Sequence, residues 1–333
     1  MPQISIIIPA YNAAPFIAET LASVTAQTFR DFEVIVVDDG SGDDTAEIVR
    51  AWASEVSFPV RLIQQSNAGV SAARNAGWRA ATADWVQFLD ADDFIHPEKL
   101  ALQFAECGEL SDSVAYVTSN WAEVRVTPTE RRHIRNVDCQ LLPQVPSEMD
   151  VLALCPTLTL AAHLFRRVHV ARISGFDIGL KVDEDLEFFL RLARLGLQQH
   201  YVSAETPLFT VRQQIDRRLG EGNFKYSAVD AANQFVGNVL RVCDGDGSTV
   251  EHLSATARRS LDGRLSLYLR LMCRYDRGLF RQRLPELEAH LGRVLPTNPG
   301  YLRVLSRLIG FERAEDVASV YRRIKTIMGV YHE

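Results

Sequence analysis

Apolar runs of strand length alternate with helix-like stretches over the first hundred residues, and this alternation constrains the fold more than any other feature. The four runs are Ile4–Ile8, Phe32–Val37, Val60–Gln64 and Trp85–Leu89. Helices are predicted between and after them over residues 15–27, from Asp43 or Asp44 to about Trp52, over residues 70–81 and after Pro97. Strands this apolar, each followed by a helix, predict a mostly parallel sheet whose faces are covered by helices.

The rest of the chain has a more mixed pattern. Strand character returns at residues 114–118, 121–126, 201–202 and 208–211, and residues 183–195 have the spacing of an amphipathic helix. Three prolines and a cluster of Arg and His predict a long surface excursion over residues 128–148. The pattern after Arg212 is helical, with a break at residues 244–247. We therefore predict a first domain over residues 1–214 and a helical C-terminal region over residues 215–333.

The distribution of charge excludes one class of partner. The net charge is −6, but residues 1–250 carry 21 basic and 33 acidic side chains, whereas residues 251–333 carry 15 basic and 9 acidic ones. The acidic excess over residues 1–250 argues against a protein that binds duplex nucleic acid, because such a protein needs a basic face for the phosphates. The basic C-terminal third is compatible with contact to an anionic surface, or simply with solvated helix faces.

The cysteines and the apolar runs indicate the compartment. Five cysteines, an odd number, occur without any C-x-x-C spacing, so the sequence predicts neither a zinc site nor a disulfide framework. No apolar run approaches the roughly 18 residues of a membrane span, and the N-terminal residues lack the basic region of a secretory signal. These features favour a cytoplasmic protein with reduced thiols.

Three carboxylates stand together after the fourth predicted strand, in the segment Asp90-Ala91-Asp92-Asp93. Unpaired carboxylates this close repel one another, and a divalent cation with oxygen ligands removes that cost. Mg²⁺ and Mn²⁺ are typically held by one or two protein carboxylates together with substrate phosphates. The alternative is a solvated acidic turn before the helix that follows Pro97.

Polar residues also follow the first two strands, and ligand sites of parallel sheets lie at the carboxyl ends of their strands. Asp38 and Asp39 could accept hydrogen bonds from a base or a ribose hydroxyl, or could cap the following helix. A dinucleotide-binding site is disfavoured, because Pro9-Ala10-Tyr11-Asn12 stands where the glycine-rich turn of such a site would be.

Two further segments contain residues that could bind a ligand or act in catalysis. Arg74 lies one turn into the helix that follows Asn67-Ala68-Gly69, where it could meet a phosphate or a base edge, or form a surface ion pair. If Asp183 caps the later helix, Glu184 and Asp185 lie in its first turn. Acidic residues stabilise a helix at that position through the helix dipole. The alternative is that one of the two acts as a general base.

Taken in order, these motifs resemble the inverting family 2 glycosyltransferases of the GT-A fold. The matching segments are Ser5–Asn12, Glu33–Ser41 with Asp44 and Thr45, Asn67–Asn75, Phe88–Asp93, Ser174–Asp177 and Glu184–Leu192. The resemblance covers about residues 3–212. It implies a nucleotide-binding half over about residues 1–100 and an acceptor half over about residues 101–214.

The resemblance also implies roles for individual residues. The residues that would bind the nucleotide sugar are Pro9, Ala10, Tyr11, Asn12, Asp38, Asp39, Asn67, Gly69, Arg74, Asp90 and Ala91. Among these, Asp39 would read the base. Asp92 and Asp93 would hold Mn²⁺ or Mg²⁺, and Asp185, or its neighbour Glu184, would be the catalytic base. The family often has a histidine just after the late strands, and residues 211–216 contain none, which puts a contact from that loop in doubt.

The function implied is transfer of a sugar, with inversion, from a nucleotide-diphospho-sugar to an acceptor hydroxyl in polysaccharide or glycan biosynthesis. A UDP-sugar is favoured as donor, and the acceptor would be a glycan, a lipid-linked oligosaccharide or a protein. The amphipathic segment Tyr301–Ile309 would pack within the protein or a homo-oligomer, or dock to the inner face of the membrane.

Two alternatives to this function remain. A nucleotidyltransferase would need a loop rich in Gly, Arg or Lys after the first strand, and residues 9–16 contain none of these. A non-catalytic subunit that binds nucleotide sugars would not need both the acidic segment at Asp90 and the pair Glu184-Asp185.

Overall fold

The structure is a computed structural model. It describes residues 1–126, 131–180, 182–213, 221–245, 251–292, 294, 302–303, 306–307 and 310–327. The chain divides into two compact units. One comprises residues 1–151 and 155–217, and the other comprises residues 152–154 and 218–333. The boundary near residue 215 that the sequence predicts falls in the segment 214–220, outside the described residues.

The first unit contains eleven described strands in two sheets. The strands are β1 (Ile4–Ala10), β2 (Phe32–Asp38), β3 (Val60–Gln64), β4 (Trp85–Phe88), β5 (Phe94–Ile95), β6 (Val114–Ser119), β7 (Trp121–Val126), β8 (Arg131–Val137), β9 (His163–Arg166), β10 (Gln198–Val202) and β11 (Phe209–Gln213). The larger sheet has the order β10-β6-β9-β4-β1-β2-β3, and only β9 runs antiparallel to its neighbours among these strands. The predicted mostly parallel sheet is therefore confirmed.

Helices connect these strands. Along residues 1–213 they are α1 (Ile17–Thr25), α2 (Thr45–Glu55), α3 (Val70–Ala80), α4 (Lys99–Cys107), α5 (Glu148–Leu154), α6 (Arg167–Arg172) and α7 (Glu184–Arg194). All seven residues of β1 and of β2 are buried, as expected for central strands with helices on both faces. The core against them includes Ile17, Leu21 and Val24 of α1.

The smaller sheet lies in a part of the chain where the sequence pattern is weak. Its order is β5-β11-β7-β8, with β7 and β11 parallel and the other two pairings antiparallel. The predicted surface excursion over residues 128–148 is wrong for residues 131–137, because these form β8 against β7. Six of the seven residues of β8 are exposed. A strand exposed in this way lacks the apolar alternation by which strands are predicted.

The second unit is helical in the part of the chain that the structure describes. Its helices are α8 (Glu221–Gly245), α9 (Ala255–Tyr275), α10 (Arg277–Leu291) and α11 (Phe311–Ile327). The end of α8 at Gly245 falls in the predicted break at residues 244–247. The predicted amphipathic segment Tyr301–Ile309 lies mostly outside the described residues.

Two further features concern the cysteines and the hydropathy of the helices. All five cysteines are free and buried. None of the described helices combines the length and the hydropathy needed to cross a membrane.

Candidate functional site

A cavity of about 520 Å³ opens at the carboxyl ends of β1, β2 and β4. It forms there because parallel neighbours end at the same edge of a sheet, and β1 and β2 are in register up to Ala10 and Asp38. The cavity is lined by Pro9, Ala10, Tyr11, Ala13, Phe16, Asp39, Asn67, Gly69, Val70, Ala73, Arg74, Asp90, Ala91 and Asp92. Ten of the fifteen site residues predicted from the sequence are in this set.

The five predicted residues outside the lining are Asn12, Asp38, Asp93, Glu184 and Asp185. Asn12 and Asp38 brace the loop that follows β2. The backbone N–H of Asn12 donates to Ser41 Oγ (2.9 Å), and Asn12 Oδ1 accepts from the N–H of Gly42 (2.8 Å). Asp38 accepts from the N–H of Ser41 (3.0 Å) and from Gln64 Nε2 (3.0 Å). Although burial opposes it, these hydrogen bonds lower the pKa of Asp38.

Asp39 lines the cavity, but its carboxylate is largely engaged by the protein. Its Oδ1 accepts from Gln65 Nε2 (2.8 Å) and from the N–H of Ala68 (2.9 Å), while its Oδ2 accepts from the N–H of Gly69 (2.8 Å). An ionised carboxylate offers about four acceptor positions, so three internal bonds leave little capacity for a ligand. Asp39 therefore holds the loop that leads into α3 against the end of β2.

Arg74 joins two acidic segments that are distant in sequence. Its Nη1 donates to Glu184 Oε1 (2.9 Å) and its Nη2 to Asp90 Oδ1 (2.9 Å). The residue is 5% exposed, and its Nε has no hydrogen-bond partner among the described residues. Although burial opposes it, the carboxylates of Asp90 and Glu184 raise the pKa of Arg74. Arg74 is thus a fixed cation between the acidic segment after β4 and the start of α7.

The loop before α7 holds Arg74 in place. Phe176 lies under the guanidinium, 5.4 Å from ring centroid to Cζ, and stacks on Phe188 of α7 at 4.4 Å. Asn75 binds the backbone of Phe176 twice, as donor to its C=O and as acceptor from its N–H, both at 2.8 Å. Gly175 has φ +73°, and a Cβ there would come within 2.2 Å of Asn75 Oδ1. Only glycine fits this close approach.

Glu184 and Asp185 begin α7, as the sequence predicts, with Asp183 as the residue before the helix. Glu184 is bound by Arg74, whereas Asp185 accepts a local hydrogen bond from the N–H of Leu186 (3.0 Å). Burial and the neighbouring charge of Glu184 raise the pKa of Asp185 to about 6, although Arg74 opposes the shift. A carboxylate with such a pKa is well suited to accept a proton near neutral pH.

Arg212, at the end of β11, holds the acidic segment after β4. Its backbone N–H donates to Asp93 Oδ1 (2.7 Å), and its side-chain Nε donates to the carbonyl oxygen of Asp92 (2.8 Å). Its Nη2 donates to Glu19 of α1, and its guanidinium lies 5.5 Å from the ring centroid of Phe16. Burial and the charges of Asp90 and Asp92 raise the pKa of Asp93 well above its usual range. Asp92 faces the cavity, and Asp93 is turned towards β11.

Sequence reasoning missed six residues at this site. Ala13, Phe16, Val70 and Ala73 line the cavity, and Glu19 and Arg212 hold its acidic wall. The first four could have been found, because the first turns of α1 and α3 must begin beside the strand ends they follow. Arg212 lies in residues 211–216, the stretch in which the family often has a histidine, and the lack of a histidine there gives no signal of this arginine.

Substitutions at Asp93 separate a structural role from metal binding. Asp93→Asn keeps an acceptor for the N–H of Arg212 and cannot ionise in the buried site, so its stability at pH 7 is expected to equal or exceed that of the wild type. Asp93→Ala leaves that N–H unpaired and is expected to cost about 1–3 kcal/mol. Urea denaturation measures both. If Asp93→Asn instead weakens metal-dependent nucleotide binding as much as Asp92→Ala does, Asp93 is a metal ligand.

A sequence model of the family described as "Glycosyl transferase family 2" matches residues 5–163. The uncharacterized glycosyltransferase EpsJ of Bacillus subtilis (strain 168) is 42% identical over 95 residues, which is 28% of this chain and 27% of EpsJ. The uncharacterized glycosyltransferase YibD of Escherichia coli (strain K12) is 38% identical over 120 residues, 36% of this chain and 34% of YibD. The chain thus matches about a third or less of the length of these relatives.

Solved structures are similar over the whole chain at lower identity. The crystal structure of S. aureus TarS 1-349 in complex with UDP has a TM-score of 0.56 and 18% identity, covering 100% of this chain and 93% of that one. The mannosyltransferase PcManGT from Pyrobaculum calidifontis, in complex with GDP-Man and Mn²⁺, has a TM-score of 0.54 and 18% identity, covering 96% and 88%.

The structural likeness confirms the predicted fold class, an α/β fold of the GT-A type with a helical C-terminal region. The family model covers β1 to β4, the acidic segment after β4 and the start of β9. The matched residues include those that form the cavity at the carboxyl ends of β1, β2 and β4, so residues 5–163 resemble the glycosyl transferase family 2.

Proposed function

We propose that the protein is an inverting glycosyltransferase that moves a sugar from a nucleotide-diphospho-sugar to an acceptor hydroxyl in polysaccharide or glycan biosynthesis. The observation that carries this proposal is the link made by Arg74. It binds Asp90 in the wall of the cavity and Glu184 at the start of α7. Asp185, the proposed base, follows Glu184 directly, so this link supports a proposed donor site and a proposed base lying near each other, as a single displacement at the anomeric carbon requires.

We propose a UDP-sugar as the donor. The cavity of about 520 Å³ lies in the size range of small-molecule sites. Solved structures of the same fold are described with UDP and with GDP-Man. Tyr11, which lines the cavity and is 49% exposed, offers a ring on which a base could stack.

We propose a divalent cation, Mn²⁺ or Mg²⁺, as cofactor. Among the described residues no three His, Cys, Asp or Glu side chains form a metal cluster. The cavity wall does carry the carboxylates of Asp92 and Asp90, and one or two carboxylates are the usual protein share of a Mg²⁺ site that also uses phosphate oxygens. The donor set therefore fits, with Asp92 as the principal ligand. When bound, the cation would neutralise charge on the leaving diphosphate.

Asp185 is proposed as the base that takes the proton of the acceptor hydroxyl. Glu184 is held by Arg74 through a 2.9 Å ion pair, so its carboxylate is already engaged. Asp185 has a pKa of about 6, raised by burial and by Glu184, and is therefore ionised at neutral pH but ready to be protonated. Glu184 then serves to position Arg74 and to raise the basicity of its neighbour.

The donor is tested by thermal shift with UDP-, GDP- and dTDP-sugars in the presence of Mn²⁺. A ligand held at 100 times its Kd stabilises a protein by about 2.7 kcal/mol. We expect that shift with the UDP-sugars, and release of UDP when the acceptor is replaced by water. Failure of all three nucleotide classes to shift the melting temperature would overturn the proposed function.

Asp92→Ala is expected to weaken UDP binding at least about tenfold, or ~1.4 kcal/mol, because the principal ligand of the cation is lost. Isothermal calorimetry with UDP and Mn²⁺ measures this, and EDTA should weaken binding to the wild type to the same extent. Asp31→Ala, which removes an exposed carboxylate before β2, is the matched control and should bind as the wild type does. Equal affinity in the wild type, the EDTA-treated protein and Asp92→Ala would contradict the assignment of the metal.

A further inference from the structure

Hydrogen bonds fix the main chain of the acidic segment after β4 at three successive carbonyl oxygens, those of residues 90–92. The first accepts from the backbone N–H of Asp93 (3.2 Å), and the second accepts from Thr20 Oγ1 of α1 (2.9 Å). The third accepts from Arg212 Nε (2.8 Å). The segment that carries the carboxylates of the cavity wall is therefore held by its own turn, by α1 and by β11.

The guanidinium of Arg212 is itself held by its neighbours. It forms an ion pair with Glu19 of α1, and it lies 5.5 Å from the ring centroid of Phe16 and 5.7 Å from that of Phe94. The side chain is only 7% exposed. Because a planar guanidinium donates in fixed directions, these contacts determine where its Nε points. Arg212 is thus a fixed support for the acidic segment.

Arg212 binds the backbone of the residue that is proposed to hold the cation. Its Nε binds the carbonyl oxygen of Asp92, which lines the cavity, and its own backbone N–H donates to Asp93 Oδ1 (2.7 Å). These two contacts hold consecutive residues, so a rotation of the backbone at Asp92 would break at least one of them. Outer hydrogen bonds of this kind orient the ligands of metal sites.

We propose that Arg212 is a positioning residue that fixes Asp92 for the divalent cation and thereby sets the affinity of the site for Mn²⁺ or Mg²⁺. The inference rests on the proposed function, because it concerns the cofactor of that site. Arg212 acts through Asp92 and is not itself a ligand, since a guanidinium has no acceptor atom to offer a cation.

The direction of the effect separates positioning from a role of charge alone. Arg212 is a cation beside Asp92, so its charge opposes the binding of a second cation there. If charge were its only role, removal of the guanidinium would strengthen the binding of Mn²⁺. Loss of a group that orients a metal ligand instead weakens metal binding, typically by about 10- to 100-fold. The two roles therefore predict changes of opposite sign.

The test compares Arg212→Met and Arg212→Lys with the matched control Arg166→Met. Arg166 also ends a strand, and it donates to the carboxylate of Asp112 (2.8 Å) and to the carbonyl oxygen of Leu110 (2.8 Å). It lies beside Trp85, at the end of β4 away from the acidic segment. Calorimetry with UDP gives the Mn²⁺ concentration needed for half-maximal binding and the UDP affinity in EDTA. Melting temperatures are measured in parallel.

We expect Arg212→Met to need about 10- to 100-fold more Mn²⁺ than the wild type, with unchanged UDP affinity in EDTA. Arg212→Lys should also need more Mn²⁺, because an ammonium keeps the charge but not the planar fork of donors. If Arg212→Met does not fold, Arg212→Lys carries the test alone. Arg166→Met should lower the melting temperature but need the same Mn²⁺ as the wild type.

Three results would overturn the inference. They are an unchanged or lower Mn²⁺ requirement in Arg212→Met, a wild-type requirement in Arg212→Lys, and an equal rise in Arg166→Met. If any of these occurs while Asp92→Ala still loses Mn²⁺-dependent UDP binding, the role of Arg212 falls and the proposed cation site stands. If UDP binds the wild type equally well in Mn²⁺ and in EDTA, the cation and the role of Arg212 fall together. If no nucleotide binds the wild type, the proposed function itself falls.

Discussion

Asp185→Asn is expected to lower the rate of sugar transfer at least ~10²-fold, the usual contribution of a general base. Nucleotide affinity should change by less than about 1 kcal/mol, because the base acts mainly in the transition state. Asparagine keeps the size of the side chain but cannot take the proton of the acceptor. Initial rates of transfer and calorimetry with UDP measure the two quantities separately. A parallel loss of affinity and rate would place Asp185 in donor binding instead.

The pH dependence provides a second test of the same residue. With a pKa of about 6, Asp185 is protonated below that pH, so kcat/KM of the wild type should fall as the pH drops through 6. The ordinary pKa of the group is 3.8, so its ionisation costs folding free energy, and this cost develops as the pH rises from about 4 to about 6. Asp185→Asn should therefore be at least as stable as the wild type at pH 7.

Glu184→Gln is the matched control for the assignment of the base. It should weaken the contact with Arg74 but leave measurable transfer, since Asp185 remains. If Glu184→Gln abolishes transfer and Asp185→Asn does not, the two roles are exchanged. If neither substitution affects transfer by a folded protein, the base lies elsewhere, and the pair serves only to stabilise the start of α7.

Arg74→Met is expected to destabilise the protein by about 3 kcal/mol, at the low end for loss of one partner from a buried ion pair. The low end applies because the side chain of Asp90 is 43% exposed, whereas that of Glu184 is 17% exposed. Without the guanidinium both carboxylates lose their cation. Urea denaturation at pH 7 measures the loss. Arg79→Met, on the exposed side of the same helix, is the control and should change stability little.

The same substitution should also move the pH profile. Arg74 lowers the pKa of Asp185, so its removal raises that pKa above about 6. The fall of kcat/KM on the acidic side is therefore expected at higher pH in Arg74→Met than in the wild type. An unchanged pH profile together with an unchanged midpoint of denaturation would show that Arg74 is not the cation that links Asp90 to Glu184.

The central strands were predictable because their burial leaves a direct pattern. Ile4–Ile8 is apolar at nearly every position, and β1 is buried along its whole length. β8 carries the sequence RRHIRNV, and its pairing with β7 depends on a partner rather than on its own pattern. β9 has only four residues, HLFR, which are too few to show a strand pattern by themselves. Pairings of this kind are decided by tertiary context.

The lining of the cavity was predictable for a similar reason. Asp39, Arg74 and Asp90 follow predicted strands, and parallel strands bring their carboxyl ends to one edge. The ion pair between Arg74 and Glu184 joins residues 110 positions apart, and no local spacing indicates it. The contact of Arg212 with Asp93 spans 119 positions. Such contacts follow from the assembled fold and could not be read from motifs.

The hydrogen bonds of Asp39 have a consequence for how the choice of the proposed donor could evolve. The carboxylate of Asp39 accepts hydrogen bonds from the main chain of Ala68 and Gly69. The cavity wall beside Asp39 is therefore formed by peptide groups, which a single substitution cannot replace as it could replace a side chain. Gly40 has φ +78°, and a Cβ there would come within 2.9 Å of the backbone nitrogen of Asn67, so the two loops are closely fitted. We therefore expect divergence towards another nucleotide to proceed by insertion or deletion between residues 65 and 69, with position 39 remaining acidic.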